Sequence, residues 1–374
     1  MWAAPGRVNI IGEHTDYNNG YVLPIALPFT VRCAASARAD GRVGVRSRQR
    51  AGEVAVAVDD LDGARAPGWA RYPLGVVREY VKRGYPIPGV DLSLDGDVPV
   101  GAGLSSSAAV ECSVAVALRD LFDYAVADEE LIDIARAAEN DYVGAPTGIL
   151  DQSASVLCTA GHALFLDVAT GDRAQIPFDL AAVGLALLVV DTNTPHALVD
   201  GEYAARRAQC EAAAAALGAA SLREITDAAE VEKLHTATVD GQEGTAPWDD
   251  ELLRRRARHV VTENARVLAV VDALRTGADP RAIGPVLSAS HTSLRDDFAV
   301  SCPQLDAAAD AATAAGAYGA RMVGGGFGGS VIALVEADRA EVVSAAVADR
   351  FAAAGFAAPR TFAAVPAAGA RRLE

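Results

Sequence analysis

Residues 98 to 111 read VPVGAGLSSSAAVE. Gly101 and Gly103 let the backbone come close to a ligand, and three serines stand where a helix begins. Beyond them Val110, Val114, Ala117, Leu118 and Leu121 recur on one helical face, so the spacing predicts a strand, a glycine turn and a helix capped by serine. A helix start offers unpaired N–H groups and a partial positive charge, which makes this arrangement a cradle for phosphate. Serine hydroxyls are also hard oxygen ligands of the kind Mg²⁺ prefers. The stretch is not a P-loop, because no lysine follows, and it lacks the third glycine of a dinucleotide fingerprint. An ordinary capped turn is the alternative.

On either side of this stretch the pattern changes. Before it, short β-branched runs alternate with turns: 21 to 28, 41 to 48 and 90 to 99. After it, DEELIDIARAAENDYVG (128 to 144) predicts a second helix, with Asp128 as cap and a stripe of Leu131, Ile134, Ala135, Ala138 and Tyr142. VGLALLVVDT (183 to 192) reads as a buried strand, and an Arg- and Ala-rich helix begins near Glu202, which puts a domain boundary close to residue 180. Residues 220 to 250 look like a polar, exposed connection. The chain then ends on a strand, 330 to 336, and a helix, 340 to 354. At 374 residues, two domains are expected.

The formal charge is −16, and Lys82 and Lys233 are the only lysines. Such a surface repels nucleic acid and anionic membranes, so an anionic ligand needs a local positive source. Five scattered cysteines, with no C-x-x-C pair, suit free thiols in a reducing cytoplasm. The longest apolar run near the middle, 183 to 190, is too short to span a bilayer.

Three further stretches hold chemistry. RMVGGGFGGSVIALV (321 to 335) buries five glycines between apolar flanks, which suggests close approach to a ligand or another backbone. APTGILDQSASVL (145 to 157) sets Asp151 at a helix start, where an acid complements the dipole. Glu139, at the edge of its helix's stripe, reads alone as a solvated acid. In GRVNIIGEHTDYNNG (6 to 20), Glu13, His14 and Asp16 follow an apolar segment, with Arg7 upstream. They could bind a metal, or accept several sugar hydroxyls at once; spacing alone leaves both open.

Taken together these stretches resemble one family. GRVNIIGEHTDYNNGYVLPIAL resembles the galactokinase signature, and GAGLSSSAAVE and GGGFGGSVIAL resemble the second and third motifs of the GHMP kinases, the sugar and metabolite kinases that also include homoserine, mevalonate and phosphomevalonate kinases. AENDYVGAPTGILDQ (138 to 152), GEYAARRAQCE (201 to 211) and SHTSLRDDFAVSCPQLD (290 to 306) are galactokinase-like as well, in the family's order.

The resemblance implies an α+β fold of two domains: a ribosomal-protein-S5-domain-2-like one over 1–179 and a ferredoxin-like one over 180–374, with the active site between them. It implies phosphoryl transfer from MgATP to the C1 hydroxyl of galactose by a cytoplasmic monomer. Asp151 matches the family's base and Arg7 the arginine that stabilises the transferring group. Glu13, His14, Thr15, Asp16, Gly148 and Tyr203 match the sugar contacts. Gly101, Ala102, Gly103, Leu104, Ser105, Ser106 and Ser107 match the ATP phosphate loop, with Ser107 and Glu139 at the Mg²⁺ positions. A helix start and a nearby arginine both favour the ionised form of Asp151, so it should mainly orient the hydroxyl, with proton transfer late.

Two departures stand out. The family usually has a helix-bearing extension ahead of W-A-A-P-G-R, where Met1 directly precedes Trp2 here; either the chain starts late or its start lies upstream of Met1, and stability is at issue more than chemistry. Thr147 and Ser330 stand where cysteine is common, with little effect expected. The alternatives are a kinase for a related sugar such as N-acetylgalactosamine or arabinose, and a non-catalytic galactose and ATP sensor.

Overall fold

The computed structural model describes residues 1–63, 65–194, 199–235 and 248–373. Its first third is rich in strands: β1 (Trp2–Asn9), β2 (Tyr21–Val22), β3 (Pro24–Ala37), β4 (Arg42–Ser47), β5 (Arg50–Ala57) and β6 (Val90–Gly96). Four helices follow or interrupt them: α1 (Gly68–Lys82), α2 (Ser106–Leu121), α3 (Asp128–Ala137) and α4 (Leu150–Leu157). A hairpin of β7 (His162–Asp167) and β8 (Arg173–Pro177) extends β2 into a small three-stranded sheet. The main sheet has the order β13-β1-β3-β6-β4-β5, where β13 is Arg371–Arg372 returning from the end of the chain to pair with β1. Only β4 and β6 run parallel.

The second half contains β9 (Leu185–Asp191), α5 (Val199–Ala216), α6 (Ala228–Val231), α7 (Asp250–Arg275), α8 (Gly284–Asp296) and α9 (Pro303–Ala314). β10 (Gly319–Val323), β11 (Ser330–Glu336), α10 (Ala340–Ala354) and β12 (Arg360–Ala364) complete it. Its antiparallel sheet has the order β10-β11-β9-β12. Counted along the chain that order is fourth, first, third, second from the far edge, the split βαβ arrangement of ferredoxin-like folds. The α+β class expected from the sequence is the class observed.

Both faces of the inner strands β9 and β11 are buried, which explains the unbroken apolar run at 183 to 190. Leu187, Val189, Ile332 and Leu334 face a core shared with the first half. Leu188, Val190, Val331 and Ala333 face a second core made with the second half's helices.

Several local expectations need correction. Ser105 precedes α2 in the left-handed region, with φ 57°, and its side chain makes no capping bond. Asp128 is the first residue of α3 rather than its cap, and Ala127 holds the cap position. Glu139 is not a solvated acid: the helix widens into a π turn over Ala138–Val143, and Glu139 is buried there. Of the expected connection from 220 to 250, Leu222, Val231 and Leu234 are buried, and 236–247 lies outside the described residues. Among the described residues no helix is long and apolar enough to cross a membrane.

Candidate active site

β1 delivers Arg7 to the mouth of the glycine turn. The Arg7 N–H bonds the Leu104 carbonyl at 3.1 Å. Its guanidinium donates to the Gly103 carbonyl at 2.6 Å and pairs with Asp151 Oδ1 at 2.7 Å. The other Asp151 oxygen accepts the Ser105 hydroxyl. That contact is what Ser105 gains from its left-handed conformation, a strained state for a residue other than glycine. Asp151 lies in the first turn of α4, so a strand, a helix start and the glycine turn converge on one carboxylate.

Asp16 faces the same space from the loop after β1. Its two oxygens accept the Tyr17 N–H at 3.0 Å and the Leu150 N–H at 3.2 Å, the latter at the start of α4. Burial is the largest influence on its carboxyl and, with the charges of Asp151 and Glu13, pushes its pKa up to about 6, against the pull of those two N–H bonds. Gly148 makes room for it: a Cβ there would stand 1.9 Å from Asp16 Oδ2. We therefore expect Gly148→Ala to displace Asp16, at a cost of about 1–3 kcal/mol of overpacking. If the pocket holds the sugar that the resemblance implies, the KM for that sugar should rise at least about tenfold while the KM for the nucleotide holds, since a small misplacement of a binding group costs up to about a hundredfold.

Glu13, His14 and Tyr203 complete the wall. Together with Arg7, Asp16, Thr147, Gly148, Asp151 and Gly324 they line a pocket of about 160 Å³. Glu13 Oε1 accepts the Gly324 N–H at 2.9 Å, and Oε2 the Asn9 amide at 3.2 Å. His14 is itself left-handed, with φ 61°. Its ring packs against Tyr203 and Phe298, with centroids 5.4 and 4.8 Å away. Burial, aided by His259 and Arg206, holds its pKa well below the usual histidine range, so the ring is neutral at physiological pH. The Tyr203 phenol is pushed well up by burial and by the carboxylates of Asp16 and Asp151, which keeps it a hydroxyl donor. Thr15 differs from the expectation of a sugar contact. It is fully buried and gives its hydroxyl to the Gly12 and Tyr21 carbonyls, at 2.9 and 2.7 Å, so its side chain shapes the loop instead of lining the pocket.

The loop rests on buried polar groups that the sequence did not single out. From α7, His259 donates to the Glu13 carbonyl at 3.1 Å, Glu263 accepts the Gly12 N–H at 3.0 Å, and Asn264 accepts the Tyr21 N–H at 3.0 Å. Arg321 on β10 reaches the same loop from the other side. Burial drives the Glu263 carboxyl up, but Arg266, His259 and Arg321 outweigh it and leave its pKa at about 2. Polar residues four and five apart on a helix are ordinary for a solvated face; only the packed loop reveals their task.

Residues 101 to 107, expected to form a phosphate loop, divide by depth. Ala102 and Leu104 point into the core, and Ser330 bonds the Ala102 carbonyl at 2.7 Å. Gly324, with φ 85°, packs onto the turn so closely that a Cβ would meet the Gly103 carbonyl at 3.0 Å. Ser106 and Ser107 open onto a second cavity of about 480 Å³, lined by Trp69, Tyr72, Val31, Leu94, Val98 and Val110. This aromatic-walled space beside a helix N-terminus, which Ser47, Gln49 and Arg50 also line, was not foreseen, because its residues come from five separate segments. Glu139 accepts from Thr147 Oγ1 at 2.9 Å and Gln152 Nε2 at 2.8 Å. Its pKa is raised by burial and by the charge of Asp151, against hydrogen bonds from Thr147, Ser107 and Gln152. Among the described residues, no group of three or more His, Cys, Asp and Glu side chains could hold a metal.

A glycine turn at a helix start, an arginine–aspartate pair and a pocket lined from both halves of the chain fit the class of GHMP kinases, ATP-dependent kinases, and comparisons with known proteins show that class. Residues 71–159 match the family model of the GHMP kinases N terminal domain and 270–353 that of the GHMP kinases C terminal. Residues 1–37 match the galactokinase galactose-binding signature. A galactokinase of Streptomyces coelicolor is 52% identical over 100% of this chain and 94% of its own length. One of Mycobacterium tuberculosis is 42% identical over 99% of both. The crystal structure of Lactococcus lactis galactokinase complexed with galactose superposes with a TM-score of 0.91 at 34% identity, covering 100% of this chain and 94% of that one. Methanococcus jannaschii mevalonate kinase shares the fold, with a TM-score of 0.63 at 15% identity over 100% of this chain and 98% of that one. The chain belongs to the galactokinase family.

Proposed function

We propose that the protein transfers the γ-phosphoryl group of MgATP to the C1 hydroxyl of α-D-galactose, giving α-D-galactose 1-phosphate and ADP. The observation that carries this reading is the Asp151 carboxylate, held between Arg7 and Ser105 at the edge of a pocket whose other side is Asp16, Glu13, His14 and Tyr203. Asp16 and Glu13 accept sugar hydroxyls, His14 and Tyr203 close the pocket on the sugar, and the Gly148 backbone admits Asp16. Asp151 orients the C1 hydroxyl and takes its proton late. Arg7 neutralises charge on the transferring group, the local positive source that a chain of net charge −16 requires.

The turn at 101–107 holds the phosphates of ATP through backbone N–H groups and the start of α2, and the nucleoside lies in the cavity of Trp69 and Tyr72. Ser107 and Glu139 suit Mg²⁺: a hydroxyl and a buried carboxylate with a raised pKa form an oxygen site where a cation is compensated. Bound between Ser107 and Glu139, the ion would supply charge neutralisation on the phosphates. The sugar signature and phosphate loop belong to a first domain, 1–179, and Tyr203 and the 324–329 loop to a second, 180–374. The enzyme acts as a monomer in the cytoplasm, where its five free cysteines stay reduced.

ADP release against a panel of sugars tests the assignment. Turnover on galactose far above that on N-acetylgalactosamine or arabinose is expected, and none on galactose sinks it. The pH profile gives an independent check. Asp16 accepts hydroxyls best when ionised, so the KM for galactose should rise as pH falls through about 6 and stay flat above it. The folded-state pKa is raised, so the protonated form contributes stability below the ordinary carboxylate range, and that contribution is lost as pH climbs through about 6. Binding therefore improves over the window in which this group's contribution to stability declines. A KM that is level from pH 5 to 8 would rule out Asp16 as the acceptor.

A further inference from the structure

We propose that Arg321 is a positioning residue for the acceptor sugar: it fixes the Glu13 carboxylate so that only Oε2 keeps an open acceptor position for a hydroxyl. The inference rests on the assignment of galactose to this pocket. Arg321 is fully buried. Its Nη1 donates to the Asn9 and Ile10 carbonyls, at 2.8 and 3.0 Å, and its Nη2 stands 3.3 Å from Glu13 Oε1.

The two carbonyls mark the point where β1 stops pairing with β3, Asn9 being the last partner. One planar guanidinium thus holds the end of the strand through Nη1 and sets Nη2 at ion-pair distance, without a hydrogen bond, from the carboxylate four residues beyond it. A lysine, as a flexible point charge, cannot hold the same three oxygens in one plane. Glu13 Oε1 is filled by the Gly324 N–H and faced by the guanidinium, whereas Oε2 takes only the Asn9 amide. A carboxylate has about four acceptor positions, so the open one lies on Oε2. Glu263 pairs with Arg266 at 2.7 Å and feels Arg321 only at longer range, whereas Arg321 is, among the described residues, the cation within ion-pair distance of Glu13, and His259 is neutral, its pKa lowered to about 4 mainly by burial. Arg321 is therefore the cation that answers Glu13.

A purely structural role is the competing account, in which Arg321 does no more than satisfy two carbonyls and join the halves. The two accounts separate in a double-mutant cycle of Arg321→Lys and Glu13→Gln, with galactose affinity read by calorimetry without nucleotide, alongside the KM for ATP and the Tm. We expect Arg321→Lys to weaken galactose binding at least about tenfold with the KM for ATP unmoved. In the Glu13→Gln background the same change should add little, because residues acting through one another are not additive. An equal cost in both backgrounds, or a loss shared equally by galactose and ATP, overturns the proposal. If Arg321→Lys does not fold, Arg321→Gln keeps amide donors for the carbonyls, removes the charge at Glu13 and carries the same comparison. Wild-type protein that fails to phosphorylate galactose refutes the assignment of the pocket; an active wild type with an unaffected variant refutes this inference alone.

Discussion

Asp151→Asn binds galactose and ATP and loses turnover by about 10²–10⁴-fold, the range that removal of a general base spans. Binding should survive because the site can accommodate the amide. The carbonyl oxygen of the substituted side chain can still accept from Arg7, while its NH₂ turns to the Ser105 oxygen, and a serine hydroxyl accepts as readily as it donates. What the amide cannot do is take a proton. Calorimetric titration of each substrate and single-turnover measurement of ADP formation separate the two effects. Near-normal turnover in that variant is incompatible with Asp151 as the group that receives the C1 proton.

Arg7→Ala should lower kcat by about 10³ or more, the scale of losing an arginine that stabilises a transferring phosphoryl group. Three consequences of the change point the same way. The positive charge disappears, the Gly103 carbonyl loses its 2.6 Å donor, and the Asp151 carboxylate is left beside Ser105 alone. Galactose affinity should change far less, since Asp16 and Glu13 do not depend on Arg7. Arg7→Lys keeps the charge but can reach only one of the two oxygens that the fork spans, so partial recovery is expected. A tenfold loss or less for Arg7→Ala, or a loss confined to galactose affinity, would contradict its assignment to the phosphoryl group.

Periodicity made the regular elements legible. β11 and α10 start and stop where the patterns at 330 to 336 and 340 to 354 do, because an apolar run bounded by turn residues has few other ways to bury itself. The residues gathered round the pocket were legible only through resemblance, since Arg7, Asp16, Asp151 and Tyr203 come from both halves of the chain and no local spacing links them. What stayed hidden were features set by tertiary contact. Ser105 is a cap by sequence rule, yet its hydroxyl goes to Asp151. Glu139 looks solvent-facing on an α-helix, and a π turn rotates it inward. Thr15 reads as one more polar group in a sugar signature, but its hydroxyl closes the loop on itself. His259, Glu263, Asn264 and Arg321 gain meaning only from the loop that lies on them.

The second sheet, with Leu187 and Val189 turned one way and Leu188 and Val190 the other, is common property of two cores. A wall that both rooms share cannot come down on one side only. Melting of either half strips one face of β9 and β11, so the halves should lose their structure in a single cooperative step. A core lesion in the helices of one half then reaches the pocket by lowering the stability of the whole molecule, without touching any residue that meets the sugar.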